Sequence, residues 1–232
     1  MIGTVLNIAT VIVGGIIGLM FGARIPDKLK ETVIAGMGLF TGAMGLQMFL
    51  DTENPLIVLG ALLIGTLIGE WWRIEDGLYR LGEFLEQKFS REEDDGSNKF
   101  VRGFLTASLL FCVGPIAILG SIQDGLTGDY NLLAVKSVLD GFASIAFAST
   151  LGIGVMFSTI IILIYQGGIS LLAGQLDAIV TPSMMNELTA TGGVILIGLA
   201  ISNLLEIKKI RVANMLPALA IAPLIVWILG LF

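Results

Sequence analysis

The sequence predicts an all-α, polytopic membrane protein of about eight transmembrane helices, and three observations lead there. Hydrophobic residues make up 55% of the 232-residue chain, charged residues only 14%, and the mean hydropathy is +0.92. A soluble domain needs a more charged surface to stay in water. The apolar residues fall into eight runs, each near the roughly 20 residues that a helix needs to cross a hydrocarbon core. The basic residues sort onto one set of connections only if all eight runs cross.

Lipid offers the backbone no hydrogen-bond partners, so every run is expected to be helical. The spans are 2–22, 32–50, 55–73, 100–121, 131–150, 152–174, 188–206 and 213–232. The first has no basic n-region and no small-residue cleavage site, and so reads as a retained helix and not a signal peptide. The second follows Arg24, Lys28 and Lys30, and the third ends on Trp71-Trp72-Arg73, an interfacial anchor. A long polar stretch, 74–98, comes next. There Ile74, Leu78, Leu81 and Leu85 recur at helical spacing, with Glu75, Arg80, Glu83 and Lys88 around the rest of the wheel. This pattern predicts an amphipathic helix on the cytoplasmic surface, followed by the acidic loop Glu92-Glu93-Asp94-Asp95. The segment reads either as a partner-binding arm or as a solvated linker. The fourth span carries Gly114-Pro115, where the missing backbone donor is expected to kink or break the helix. Only Leu151-Gly152 marks a turn between the fifth and sixth spans.

Charge placement gives an orientation. With eight crossings, one side receives Arg24, Lys28 and Lys30, then Arg73, Arg80, Lys88, Arg91, Lys99 and Arg102, then Lys208, Lys209 and Arg211. That is twelve of the thirteen basic residues. The other side receives Asp51, Glu53, Asp124, Asp129, Asp177 and Glu187, and no lysine or arginine. Basic residues mark the cytoplasmic side, so both termini are expected outside it. The net charge of −6 argues against nucleic acid as a partner, and the chain has no histidine to relay protons or ligate a metal. The lone cysteine, Cys112, forms neither an internal disulfide nor a zinc site. No cofactor-binding motif is present. The expected partners are the lipid bilayer and a small polar solute or ion, and the glycine-rich faces are compatible with a homo-oligomer.

Compared with itself, the chain repeats. Glu31, Gly36, Gly42 and Gln47 in the second span share their spacing with Glu187, Gly192, Gly198 and Asn203 in the seventh. In the third and eighth spans, 61–68 and 218–225 share five identities in eight, and Gly14-Gly15 matches Gly167-Gly168 in the first and sixth. The offsets stay between 153 and 157. The first span enters from outside and the sixth from the cytoplasm, so the repeats are expected to be inverted, as in many secondary transporters. The resulting map is 1–73 for the first three-helix repeat and 74–99 for the amphipathic helix and acidic linker. The central broken-helix pair is 100–150, and 151–232 is the second, inverted repeat.

The stretch Gly114-Pro115-Ile116-Ala117-Ile118-Leu119-Gly120-Ser121-Ile122-Gln123-Asp124-Gly125 resembles a bacterial inner-membrane family of the YdfK/YqgA type, a domain of unknown function. So do Lys136-Ser137, Asp140-Gly141, and Gly3-Thr4-Val5 with Asn7. The resemblance spans essentially the whole chain. It implies a bacterial cytoplasmic membrane and brings no substrate with it.

Chemistry is expected where polar groups sit at membrane depth. A charge at the bilayer centre costs about 2.5–3.5 kcal/mol on insertion scales. Asp140 lies midway along the fifth span, with Lys136 one turn away on the same face and Ser137, Gly141 and Ser144 around it. The pair reads as a cation, proton or anion site, or as a structural salt bridge. Gly120 to Gly125 reads either as non-helical backbone lining a cavity, with Ser121, Gln123 and Asp124 pointing towards Lys136 and Asp140, or as an external hairpin loop. Asn7, Gln47, Gln166 and Asn203 read as interhelical glue. Gln47 and Asn203, equivalent in the two repeats, are expected to face each other near a central site. A secondary carrier for a small polar solute or ion is the leading reading, with a channel or a non-transporting scaffold or sensor as alternatives. There is no His–Asp–Ser arrangement and no nucleotide loop, so an enzyme is not expected; a dyad of Lys136 with Ser137 or Ser144 is the remaining enzymatic reading.

Overall fold

The computed structural model describes residues 1–22, 26–89, 97–177 and 180–230. Arg24, Arg91 and the acidic run 92–95 lie outside them. Every regular element among the described residues is helical, with no strand. In order they are α1 (Ile2–Gly22), α2 (Asp27–Phe49), α3 (Pro55–Trp72), α4 (Ile74–Phe89), α5 (Ser97–Val113), α6 (Pro115–Thr127), α7 (Asn131–Leu151), α8 (Gly154–Leu171), α9 (Ala173–Asp177), α10 (Pro182–Leu199) and α11 (Ala218–Leu229). A π-helical turn, Ala200–Leu204, extends α10, and a 3₁₀ turn, Val212–Met215, precedes α11. Seven of these segments are long and apolar enough to cross a bilayer, or eight if α5 and α6, bent by 64°, form one span.

Local chemistry sets the boundaries. Asn54 caps α3, its side chain accepting from Leu56 N at 3.1 Å, with Pro55 at the first helical position where no backbone donor is required. Thr181 and Pro182 do the same for α10, which therefore starts about two turns before the apolar run and takes Glu187 into the helix. Gly114 separates α5 from α6, and Gly152 (φ 82°) turns the chain between α7 and α8. The segment Gly120–Gly125 is neither loop nor unwound backbone. It is continuous helix within α6, because its polar groups find partners in the protein: Ser121 Oγ donates to Ala117 O at 2.5 Å, and Ser170 Oγ donates to Ser121 O at 3.0 Å.

Two compact units emerge, interleaved along the chain. Residues 1–36, 79–112 and 116–178 form the first, and 37–78, 113–115 and 179–232 the second. In the first unit, Gly3, Thr4, Asn7, Val11, Gly14, Gly15, Gly18 and Gly22 line one buried face of α1 at three- and four-residue spacing. A methyl group at Gly14, Gly18 or Gly22 would overlap the carbonyl oxygen of Gly141, Ile145 or Ser149 respectively. The two backbones therefore touch, and the partners advance together, so α1 and α7 are parallel. On its other flank α1 runs antiparallel to α8, with Gly15 against Met156 and Met1 against Gly167. Leu81 and Leu85 of α4 turn inward, and Gly82 packs against Phe104 and Val101.

In the second unit α3 and α11 are antiparallel. Gly69 meets the Asn214 backbone and Gly65 that of Ala218, while Ala61, Ala218 and Ala222 share one buried cluster with Leu62, Ile221 and Ile225. α2 and α10 are antiparallel too, Gly45 and Gly193 each lying against the other's carbonyl while Gly38 meets Leu205. At one end of this unit Glu187, 1% exposed, accepts from Thr52 Oγ at 2.7 Å, Glu53 N at 2.8 Å and Asn54 N at 2.9 Å. At the end where α3 meets α4, Glu75 N donates to Asn214 Oδ1 at 2.8 Å and Glu75 Oε2 accepts from Ala213 N at 3.2 Å. Burial holds the Glu75 carboxyl above the usual carboxylate range.

Forcing side chains between touching backbones costs about 1–3 kcal/mol or more. Gly18→Leu should therefore lower the thermal unfolding midpoint in detergent, followed by circular dichroism. Gly77→Ala, whose added methyl meets open space on α4, should leave that midpoint unchanged or slightly raised.

Candidate functional site

The most polar place inside the first unit is built on α7. Lys136 and Asp140 stand one turn apart on the same face, and Lys136 Nζ donates to Asp140 Oδ2. They are 6% and 8% exposed. Either charge alone would be poorly solvated there, and the pair lowers the cost of both. The carboxylate is shared further: Asn7 Nδ2 of α1 donates to the same Oδ2 at 3.0 Å, and also to Gln166 Oε1 of α8 at 3.4 Å. The Lys136 ammonium lies 5.9 Å from the centroid of the Phe111 ring of α5, close enough for a cation–π attraction. Four helices thus contribute to one network centred on the ion pair.

The sequence builds this locally. The glycine face of α1 brings its backbone against α7, which lets a side chain as short as asparagine reach the Asp140 carboxylate. Gly141 keeps the contact with Thr10 close, and Ser144 Oγ bridges the helices by donating to Val11 O at 2.8 Å. Ser137 turns back on its own helix, donating to Leu133 O at 2.6 Å.

The network is incompletely satisfied. Among the described residues, Asn7 Oδ1, Gln166 Nε2, Thr4 Oγ1 and Ser108 Oγ have no hydrogen-bond partner, although Thr4, Asn7 and Gln166 are fully buried. Each such group costs about 1–3 kcal/mol when nothing pairs with it. Thr4 and Asn7 are three residues apart on the same face of α1, so two of the four open onto one stretch of helix.

The remaining expected residues fall elsewhere. Asp124 is held at the start of α1, where Oδ1 accepts from the Met1 ammonium and Oδ2 from Gly3 N, both at 3.0 Å. A carboxylate is favoured at a helix N-terminus, and this one is about one turn from Asn7. Ser121 is spent on the α6 backbone. Gln123 Nε2 donates to Asp129 Oδ2 at 3.0 Å while Asp129 Oδ1 accepts from Asn131 N at 3.0 Å, which fixes the turn into α7. In the second unit Gln47 is exposed. The register of α2 on α10 puts Gln47 level with Ile195 and Asn203 level with Leu39, so the two amides lie on opposite sides of the crossing and do not face each other. No group of three or more histidine, cysteine, aspartate or glutamate side chains is placed to hold a metal among the described residues.

Two residues carry more than the sequence suggested. Gln166, expected only as glue, touches the ion-pair network directly. Glu187, expected at the outer edge of the seventh span, is a buried acceptor of three hydrogen bonds; the Thr181-Pro182 capping signal was the clue that its helix starts early.

A family model described as "Protein of unknown function (DUF554)" matches residues 2–227. The uncharacterised membrane protein YdfK of Bacillus subtilis (strain 168) is 33% identical over an alignment of 236 residues, covering 100% of this chain and 98% of that relative. The uncharacterised protein YqgA of Escherichia coli (strain K12) is 32% identical over 223, covering 95% and 94%. No solved structure matches the chain.

Breaking a buried pair by removing one partner costs about 3–5 kcal/mol, because the other charge is stranded. Lys136→Met and Asp140→Asn should each lower the unfolding midpoint strongly, whereas the double variant should recover most of the loss. Additive losses in a thermal-denaturation double-mutant cycle would mean the two side chains are not coupled.

Proposed function

This chain belongs to the family described as Protein of unknown function (DUF554), and from that premise we propose that it is a secondary transporter. It moves a small polar solute or ion by alternating access of inverted repeats. The observation that carries the reading is the buried network of Lys136, Asp140, Asn7 and Gln166, with Asp140 midway along a span-length helix and polar atoms left open beside it. Intramembrane ionisable residues are costly, and their usual return is a solute or ion pathway.

The packing supports the repeat. Each helix of the first three spans lies antiparallel against its own repeat mate: α1 on α8, α2 on α10, α3 on α11. In the last pair, Ala61 aligns with Ala218 and Gly65 with Ala222, while in space Gly65 meets Ala218 and Ala61 shares a cluster with Ala222. A two-fold axis in the membrane plane interchanges those two contacts. The match is looser at the repeat ends, since Glu187 is buried and its mate Glu31 is exposed.

Helix direction supports eight crossings. Parallel α1 and α7 require an odd number of crossings between them; α2 and α3 supply two, so the bent α5–α6 pair supplies the third. The basic connections then lie in the cytoplasm of a bacterial inner membrane, with both termini outside.

Transport is tested with purified protein in proteoliposomes and a panel of labelled small solutes and ions. Saturable uptake is expected, and the Lys136→Met/Asp140→Asn double variant, folded by circular dichroism, should lose it. Wild-type uptake by the double variant would remove the network from the mechanism. Cysteines at Lys30 and Lys208 should react with an impermeant maleimide from one side of the membrane and a cysteine at Asp51 from the other. Reaction of the Lys208 position from the Asp51 side would rule out the inversion.

A further inference from the structure

Charge bookkeeping around Asp140 narrows what the site takes. Lys136 and Asp140 cancel each other, and both of Asp140's hydrogen bonds fall on Oδ2. Asp140 Oδ1 is left without a hydrogen bond, while the buried atoms without a partner are neutral: the carbonyl oxygen of Asn7, the amino group of Gln166 and the hydroxyl of Thr4, each on a fully buried side chain. The Asn7 and Gln166 amides already touch through their other atoms, so one acceptor and one donor open together at the same place.

From these positions we infer that the network is a binding site for a small uncharged solute that both donates and accepts hydrogen bonds, the chemistry of a primary amide or a polyol. The solute's N–H or O–H donates to Asn7 Oδ1, its oxygen accepts from Gln166 Nε2, and the Thr4 hydroxyl serves either role. An ion would enter beside a pair whose charges offset each other, so Asp140 Oδ1 offers a cation no net counter-charge for its lost hydration, and the same geometry selects against ions. A hydrogen-bonding site also rejects apolar molecules of the same size, because they leave its buried polar groups unpaired. The inference rests on the transport reading and assigns that reading its substrate class.

Acetamide, which carries both an acceptor and a donor, is the probe. In proteoliposomes, stopped-flow light scattering should show acetamide entry well above that of protein-free vesicles, with no matching flux of sodium, potassium or chloride. Gln166→Met keeps the bulk of the side chain and removes the donor. The loss of one hydrogen bond should weaken acetamide handling by about tenfold, a change of about 1.4 kcal/mol. A second readout is independent of transport. In lipid nanodiscs, the Gln166 side-chain amide signal, assigned by its disappearance in Gln166→Met, should shift on adding acetamide. Ion flux without acetamide flux, and without that shift, overturns the substrate class and leaves the transporter standing. No flux of any kind with a clear shift overturns the transporter and leaves the site. No flux and no shift overturns both, and acetamide flux that is unchanged in Gln166→Met overturns the placement.

Discussion

A lysine and an aspartate buried within a bundle of apolar helices can remain charged only if each stays in contact with the other, and much of the first unit follows from keeping them so. The pair fixes the rotation of α7, since Lys136 and Asp140 must face protein and not lipid. Asp140 then needs a second donor, because one ammonium does not satisfy a carboxylate at low dielectric. Asn7 supplies it, but an asparagine side chain is short. It reaches only because the α1 face is glycine where it crosses α7, so that Gly14, Gly18 and Gly22 lie against backbone carbonyls. The ion pair, the amide and the glycines therefore form one device, and changing any of them alters the demands on the other two.

That device also bears on topology. Close packing at small residues is the ordinary way for helices to associate in lipid, where apolar side chains gain little from leaving the bilayer. Here it fixes direction as well as proximity, because the carbonyls met by successive glycines advance along α7 in the same sense. Parallel neighbours six elements apart constrain how often the chain crosses between them. A local packing feature thereby reaches the question of whether the bent α5–α6 pair spans.

Some of this was legible in the sequence and some was not, for identifiable reasons. Span positions could be read because lipid demands long apolar runs, and the break at Gly114-Pro115 because proline removes a donor. The Lys136–Asp140 pair was visible from its spacing alone. Helix starts were less so: α10 begins at a capping threonine well outside its apolar run, and Glu187 moved from the edge of the span to well inside a buried helix as a result. Gly120–Gly125 looked too polar for a buried helix because its partners, Ser170 and the start of α1, are distant in sequence. The pairing of Gln47 with Asn203 failed for a different reason. Equivalence in a repeat says that two residues share an environment, and they meet only if both lie at the crossing point.

The distinction between equivalence and contact also bears on how the units relate to the proposed repeats. A two-fold axis brings a helix against its own mate only where that helix crosses the axis, and a stripe of small residues there is complementary to itself. Ala61 and Gly65 on α3, with Ala218 and Ala222 on α11, have that character. If each of the three helices meets its mate in this way, compact bodies must contain elements from both repeats, and a division of the chain into consecutive repeats cannot coincide with a division into packed units. The observed units follow this rule: α1 and α8 belong to one, while α3, α10, α11 and most of α2 belong to the other. Within the proposed transporter, a body that moves as a whole would carry both members of a repeat pair with it. The ion-pair network, which joins α1, α7 and α8 inside a single unit, would then travel intact while its access to either side of the membrane changes.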